Sequence, residues 1–123
     1  MKNKILIVFG TRPEAIKLAP IIHGLLKKKK RFNLKICLTG QHNSLLYPIM
    51  DFFKIKADYD MKVMKNNQNL SYLSSVILDN ISRILEKEKP DYVMVHGDTT
   101  TTFITALASF YKNIKLLHIE AGL

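Results

Sequence analysis

Cysteine occurs once, at Cys37, so no internal disulfide can form and the sequence reads as that of a cytoplasmic protein. No apolar run approaches the roughly 20 residues that cross a bilayer, and residues 2–8 open a strand rather than a signal-peptide core. No membrane partner is expected. Proline and glycine are sparse, at four and five residues, while 47% of the chain is hydrophobic and 24% charged, a balance that argues against disorder. Also missing are G-x-G-x-x-G and G-x-x-x-x-G-K-[ST], which removes the dinucleotide fingerprint and the P-loop. No histidine falls in H-E-x-x-H spacing, and neither a metal nor a cofactor is expected.

Acidic residues are scarce in one half only. Residues 1–56 carry 12 Lys/Arg against 2 Asp/Glu, whereas residues 57–123 carry 7 against 8, so the net charge of +9 is local. Five of the cations form the run 27–31, at the expected end of the first helix, where they suit the negative end of its dipole. A binding patch is the alternative, but no aromatic residues are interleaved and no nucleic-acid partner is expected.

The 123 residues fit one domain, 1–123, and the periodicity within them switches repeatedly between strand and helix. Residues 5–9 form a continuous apolar run bounded by Gly10, as in a strand buried on both faces. Thr11 and Glu14 fit a capping box at the start of a helix reaching about Lys28, with Ile16, Leu18, Ala19, Ile21, Ile22, Leu25 and Leu26 on its inner stripe. Pro20 predicts a bend. A second strand, 34–38, ends near Gly40. A short helix follows with Leu45, Leu46, Ile49, Met50 and Phe53 inward, then a brief strand within 57–61 and a polar loop over 62–69. Residues 70–89 hold a strict helical period that Pro90 stops. Tyr92–His96 is a strand, Thr100–Tyr111 a helix with Phe103, Ile104, Leu107, Phe110 and Tyr111 inward, and 114–119 the last strand.

This alternation predicts an α/β fold, a three-layer Rossmann-like parallel sheet with strand order 3-2-1-4-5. In such a sheet ligands sit beyond the carboxyl ends of the strands. Three exits would converge there: Gly10-Thr11-Arg12, Gly97-Asp98-Thr99 and Glu120-Ala121-Gly122. Asp98 and Glu120, ending adjacent strands, could form a coupled carboxylate pair with one pKa raised, suited to taking a proton with one group and giving it with the other. The competing reading makes Asp98 a helix cap and Glu120 a solvated strand end, although Thr99 could cap the helix alone. His96 and His118 precede these carboxylates by two residues; they are either satisfied histidines or part of a metal site. Gly10 and Thr11 suit close approach of an anion, with Arg12 and Lys17 supplying charge, unless Arg12 merely pairs with Glu14 or solvent.

The stretches F-G-T-R-P-E-A-I-K (9–17), T-G-Q-H (39–42), V-H-G-D-T-T-T-T (95–102) and H-I-E-A-G-L (118–123) together resemble the non-hydrolysing bacterial UDP-N-acetylglucosamine 2-epimerases. The resemblance implies the first part of the amino-terminal domain of a glycosyltransferase-B type fold, homodimeric at full length, acting on a UDP-sugar. It implies interconversion of UDP-N-acetylglucosamine and UDP-N-acetylmannosamine by elimination of UDP and its re-addition. By position Asp98 and Glu120 match acid/base carboxylates, and Arg12 matches a diphosphate-contacting arginine with Lys17 its basic neighbour. Gln41 matches a residue of a regulatory substrate site, where Ser44 and Asn67 replace the Gln and Arg of other members. The remainder of the family's catalytic and uridine-binding residues lie beyond Leu123, so the 123 residues alone are expected to show little or no epimerase activity. The alternative is a non-catalytic nucleotide-sugar-binding or assembly module.

Overall fold

The computed structural model describes residues 2–40, 45–63 and 68–120. Because β1 (Asn3–Phe9) is apolar on both faces, its side chains enter two separate cores. Ile5, Ile7 and Phe9 pack with Leu18, Ala19 and Ile22 of α1 (Arg12–Leu26) and with Leu46 and Met50 of α2 (Leu46–Phe52). Leu6 and Val8 pack on the other face with Ile77 and Ile81 of α3 (Leu70–Glu88) and Ile104 of α4 (Thr100–Tyr111). The result is three layers: two helices, a sheet, two helices.

The sheet also contains β2 (Phe32–Leu38), β3 (Tyr59–Asp60), β4 (Tyr92–His96) and β5 (Lys115–Ile119), in the order β3-β2-β1-β4-β5 with every pair parallel. This is the expected order, and β1 and β4 are neighbours at its centre. Local chemistry sets the boundaries. The Asn69 side chain accepts from the Tyr72 N–H at 2.7 Å to start α3, and left-handed Lys89 (φ 46°) followed by Pro90 ends it. Burial pushes the Cys37 thiol up to about 12, so this cysteine is a packing residue. No helix among the described residues is long and apolar enough to cross a membrane.

Three expectations about helix faces need correction. α1 runs unbroken through Pro20 and stops at Leu26, and Ile16 and Leu26 are exposed rather than inward. Leu45 precedes α2 and is exposed. The largest departure is α4, where Phe103, Phe110 and Tyr111 point outward, and Thr101, Thr102, Thr105, Ala108 and Ser109 lie against the sheet beside Ile104. Small side chains let this helix approach closely, and most of their hydroxyls find partners. Thr101 meets Thr39 at 2.9 Å, Thr102 donates to the His96 carbonyl at 2.6 Å, and Ser109 to the Thr105 carbonyl at 2.8 Å.

Candidate active site at the carboxyl ends of β1, β4 and β5

Leaving β1, the chain turns at Gly10, and Thr11 caps α1 with the expected capping box. Glu14 goes beyond that box. Its side chain is only 2% exposed and accepts four hydrogen bonds. Oε1 takes the Gly10 N–H, the Thr11 N–H and the Thr11 hydroxyl, each at 3.0 Å. Oε2 takes the Thr99 hydroxyl at 3.0 Å and lies 3.2 Å from the Thr102 hydroxyl, whose proton goes to the His96 carbonyl. A buried carboxylate is tolerated when its lone pairs are filled this way. Glu14 thus ties the exit of β1 to the first turn of α4.

One consequence concerns anion binding. The Gly10 and Thr11 N–H groups, expected to face a ligand, face Glu14 instead. Arg12 does not pair with Glu14. It is exposed and has no hydrogen-bond or ionic partner among the described residues, leaving its guanidinium open to solvent.

At the end of β4, Gly97 adopts φ 71°, a left-handed conformation that costs glycine little. Thr99, not Asp98, caps α4, its hydroxyl accepting from the Thr102 N–H at 3.3 Å. Asp98 is therefore released from a capping role, and it is exposed without a partner among the described residues. Thr11, Pro13, Glu14, His96, Gly97, Asp98 and Thr99 line a hollow of about 390 Å³.

Glu120 follows β5 in a left-handed conformation (φ 50°). Its Oε2 lies 2.5 Å from His96 Nε2 and its Oε1 3.7 Å from Lys17 Nζ. The His96 hydrogen bond, and behind it the Lys17 ammonium, hold the Glu120 carboxyl below the usual range. Asp98, the expected coupling partner, is not among the causes of this shift; the close partner of Glu120 is His96. His118 Nε2–H donates to the Gly97 carbonyl at 2.6 Å, and His23 Nε2–H to the Phe53 carbonyl at 2.8 Å. Both are satisfied histidines. Among the described residues no group of three or more His, Cys, Asp or Glu side chains could hold a metal ion. Gln41, Ser44, Asn67, Ala121 and Gly122 lie outside the described residues.

Two participants were not legible as such in the sequence, the Glu14 hub and the pairing of His96 with Glu120. The only local signal was the density of hydroxyls over residues 99–102 opposite a capping glutamate.

A parallel Rossmann-like sheet here gathers acidic and basic side chains at adjacent strand exits, the place where open α/β sheets take their ligands. Comparison with known proteins gives the family. Residues 25–123 match the family model described as UDP-N-acetylglucosamine 2-epimerase, and the chain belongs to that family. It is 50% identical over 123 residues to a UDP-N-acetylglucosamine 2-epimerase of Campylobacter jejuni, covering 100% of this chain and 32% of the relative. The crystal structure of the Neisseria meningitidis UDP-GlcNAc 2-epimerase bound to UDP-GlcNAc superposes with a TM-score of 0.92 at 52% identity, over 98% of this chain and 32% of that one. The Methanocaldococcus jannaschii enzyme in complex with UDP-GlcNAc and UDP gives 0.91 at 35% identity, over 98% and 33%. The chain thus spans about a third of the length of the curated relatives it matches.

Proposed function

We propose that this chain carries part of the acid/base apparatus of a non-hydrolysing UDP-N-acetylglucosamine 2-epimerase, interconverting UDP-N-acetylglucosamine and UDP-N-acetylmannosamine in the cytoplasm. The proton on carbon 2 of the sugar is lost as UDP departs, and UDP returns after the configuration has inverted. Elimination suits a carbon that is weakly acidic because no carbonyl adjoins it. Asp98 and Glu120 are the acid/base carboxylates, Arg12 and Lys17 contact the diphosphate beside Gly10 and Thr11, and Gln41 belongs to a regulatory substrate site. No cofactor or metal takes part, and the working unit is a homodimer.

The observation that carries this is His96-bound Glu120 with Lys17 beside it, Asp98 on the wall of the hollow that His96 also lines, and Arg12 at the start of α1. The Neisseria and Methanocaldococcus relatives bind UDP-GlcNAc with the same fold. The test is incubation of UDP-N-acetylglucosamine in heavy water with the full-length product of the reading frame. Deuterium at carbon 2 and the appearance of the manno epimer are expected, and their absence overturns the proposal. The 123 residues alone are expected to exchange little or no deuterium, since they span only a third of the relatives' length.

An assembly role is the second reading, favoured by the exposed aromatic face of α4 formed by Phe103, Phe110 and Tyr111. Sedimentation that finds a strict monomer counts against it.

A further inference from the structure

The two ring nitrogens of His96 meet opposite surroundings. Nε2 lies 2.5 Å from Glu120 Oε2, whereas Nδ1 is buried with no hydrogen-bond partner among the described residues. An ionised carboxylate only accepts, so Nε2 carries a proton. Nε2–H is thus the group through which the ring meets Glu120. His96 is 8% exposed and sits at the end of β4, so its ring is fixed by packing. Glu120, by contrast, is exposed and has a left-handed backbone, a conformation that persists when neighbouring contacts determine it.

We infer that His96 is a positioning residue: its Nε2–H grips Glu120 Oε2 and thereby aims Oε1 as the atom that takes the sugar proton. The inference rests on the acid/base reading of Glu120. Its Oε2 is occupied by a short hydrogen bond, while among the described residues Oε1 faces only the looser Lys17 contact at 3.7 Å, between side chains 60% and 55% exposed. In the step itself the carbon 2–hydrogen bond breaks, an Oε1–H bond forms, and the electron pair left on the sugar expels UDP. His96 keeps its Nε2 proton throughout. The charged and titratable groups set against Glu120 are His96 from β4 and Lys17 from α1. Glu14 and Asp98 share with His96 the wall of the hollow.

The experiment uses the full-length enzyme. The first measurement is the imidazole ¹⁵N spectrum of the unmodified protein: a protonated Nε2 on His96 is expected, and a bare one overturns the inference. The second compares His96→Phe, which fills the space without a donor, with His96→Gln, which returns an amide N–H. His96→Phe is expected to slow deuterium exchange at carbon 2 by about 10- to 100-fold, the range for partners that orient a functional group. It should also raise the Glu120 titration midpoint and move the acid limb of the kcat profile upward with it. His96→Gln should recover most of both. An unchanged midpoint and acid limb in His96→Phe, folded by its amide spectrum, overturns the inference. Should His96→Phe not fold, His96→Leu takes its place with the same readings: a raised Glu120 midpoint supports the grip, and an unchanged one overturns it. A Glu120→Gln enzyme with undiminished exchange overturns the acid/base reading itself, even where the protonated His96 Nε2 stands.

Discussion

Thr102 meets Glu14 across 88 positions of sequence, its hydroxyl 3.2 Å from Oε2. With the bond from Thr99, this joins the first helix to the fourth over the ends of two central strands. Neither residue sits in an apolar core, and Glu14 also lines the hollow.

Glu14→Ala is expected to cost about 3 kcal/mol or more of stability, since several buried donors lose a charged acceptor together. Glu14→Gln keeps the shape but presents an NH₂ where hydroxyls donate, and falls between the two. Urea denaturation midpoints of the three proteins check the order.

Thr105 carries a buried hydroxyl with no partner among the described residues. Thr105→Val removes that hydroxyl at nearly constant volume and is expected to stabilise the protein by about 0.5–1 kcal/mol. A higher thermal midpoint in calorimetry is the readout, and a lower one contradicts the assignment of Thr105 as unsatisfied.

Arg12→Ala is expected to leave stability within about 0.5 kcal/mol of the parent, because the side chain is exposed and unpaired. Affinity of the full-length protein for UDP should fall about 10-fold or more with loss of a charge-assisted contact. Arg12→Lys should recover only part, since a point charge cannot reproduce the two-pronged grip of a guanidinium. Calorimetric titration with UDP measures both.

Glu88 gives a pH signature. The Lys4 ammonium, 2.6 Å away, and then the Tyr59 hydroxyl hold its carboxyl below the usual range. A carboxyl lowered on folding stabilises fully above its unfolded value, and that contribution is lost as pH falls through the folded one. Stability should therefore decline from about pH 5 downward, and Lys4→Met should flatten this slope. Urea midpoints across the range show whether it does.

Strand order and most element boundaries were readable because they depend on local pattern. Residues 5–9 are apolar throughout, Pro90 and Gly97 punctuate, and right-handed crossovers leave few arrangements. The inward face of α4 was not readable from hydrophobicity. Two helical stripes compete there, and the one with smaller, hydroxyl-bearing side chains faces the sheet because its polar atoms find partners. The site divides likewise. Asp98 and Glu120 were placed at strand exits by position alone. The His96–Glu120 contact depends on the register of β4 against β5, which sets His96 opposite Ile119 and Glu120 one residue beyond. Glu14's partners on α4 lie 85 and 88 residues away, too far for any local pattern to join.

The Glu14 carboxylate at the start of α1 acts as an internal counter-ion, already seated where a phosphate would otherwise gather backbone N–H groups. An anion arriving at this rim therefore meets mobile, solvated cations on Arg12 and Lys17 instead of a dry amide cradle. Dissolved salt screens such exposed charges within about 8 Å at physiological strength. Grip on a diphosphate from this side of the cleft should accordingly loosen as ionic strength rises, while the Glu14 lattice beneath it, sealed from water, does not.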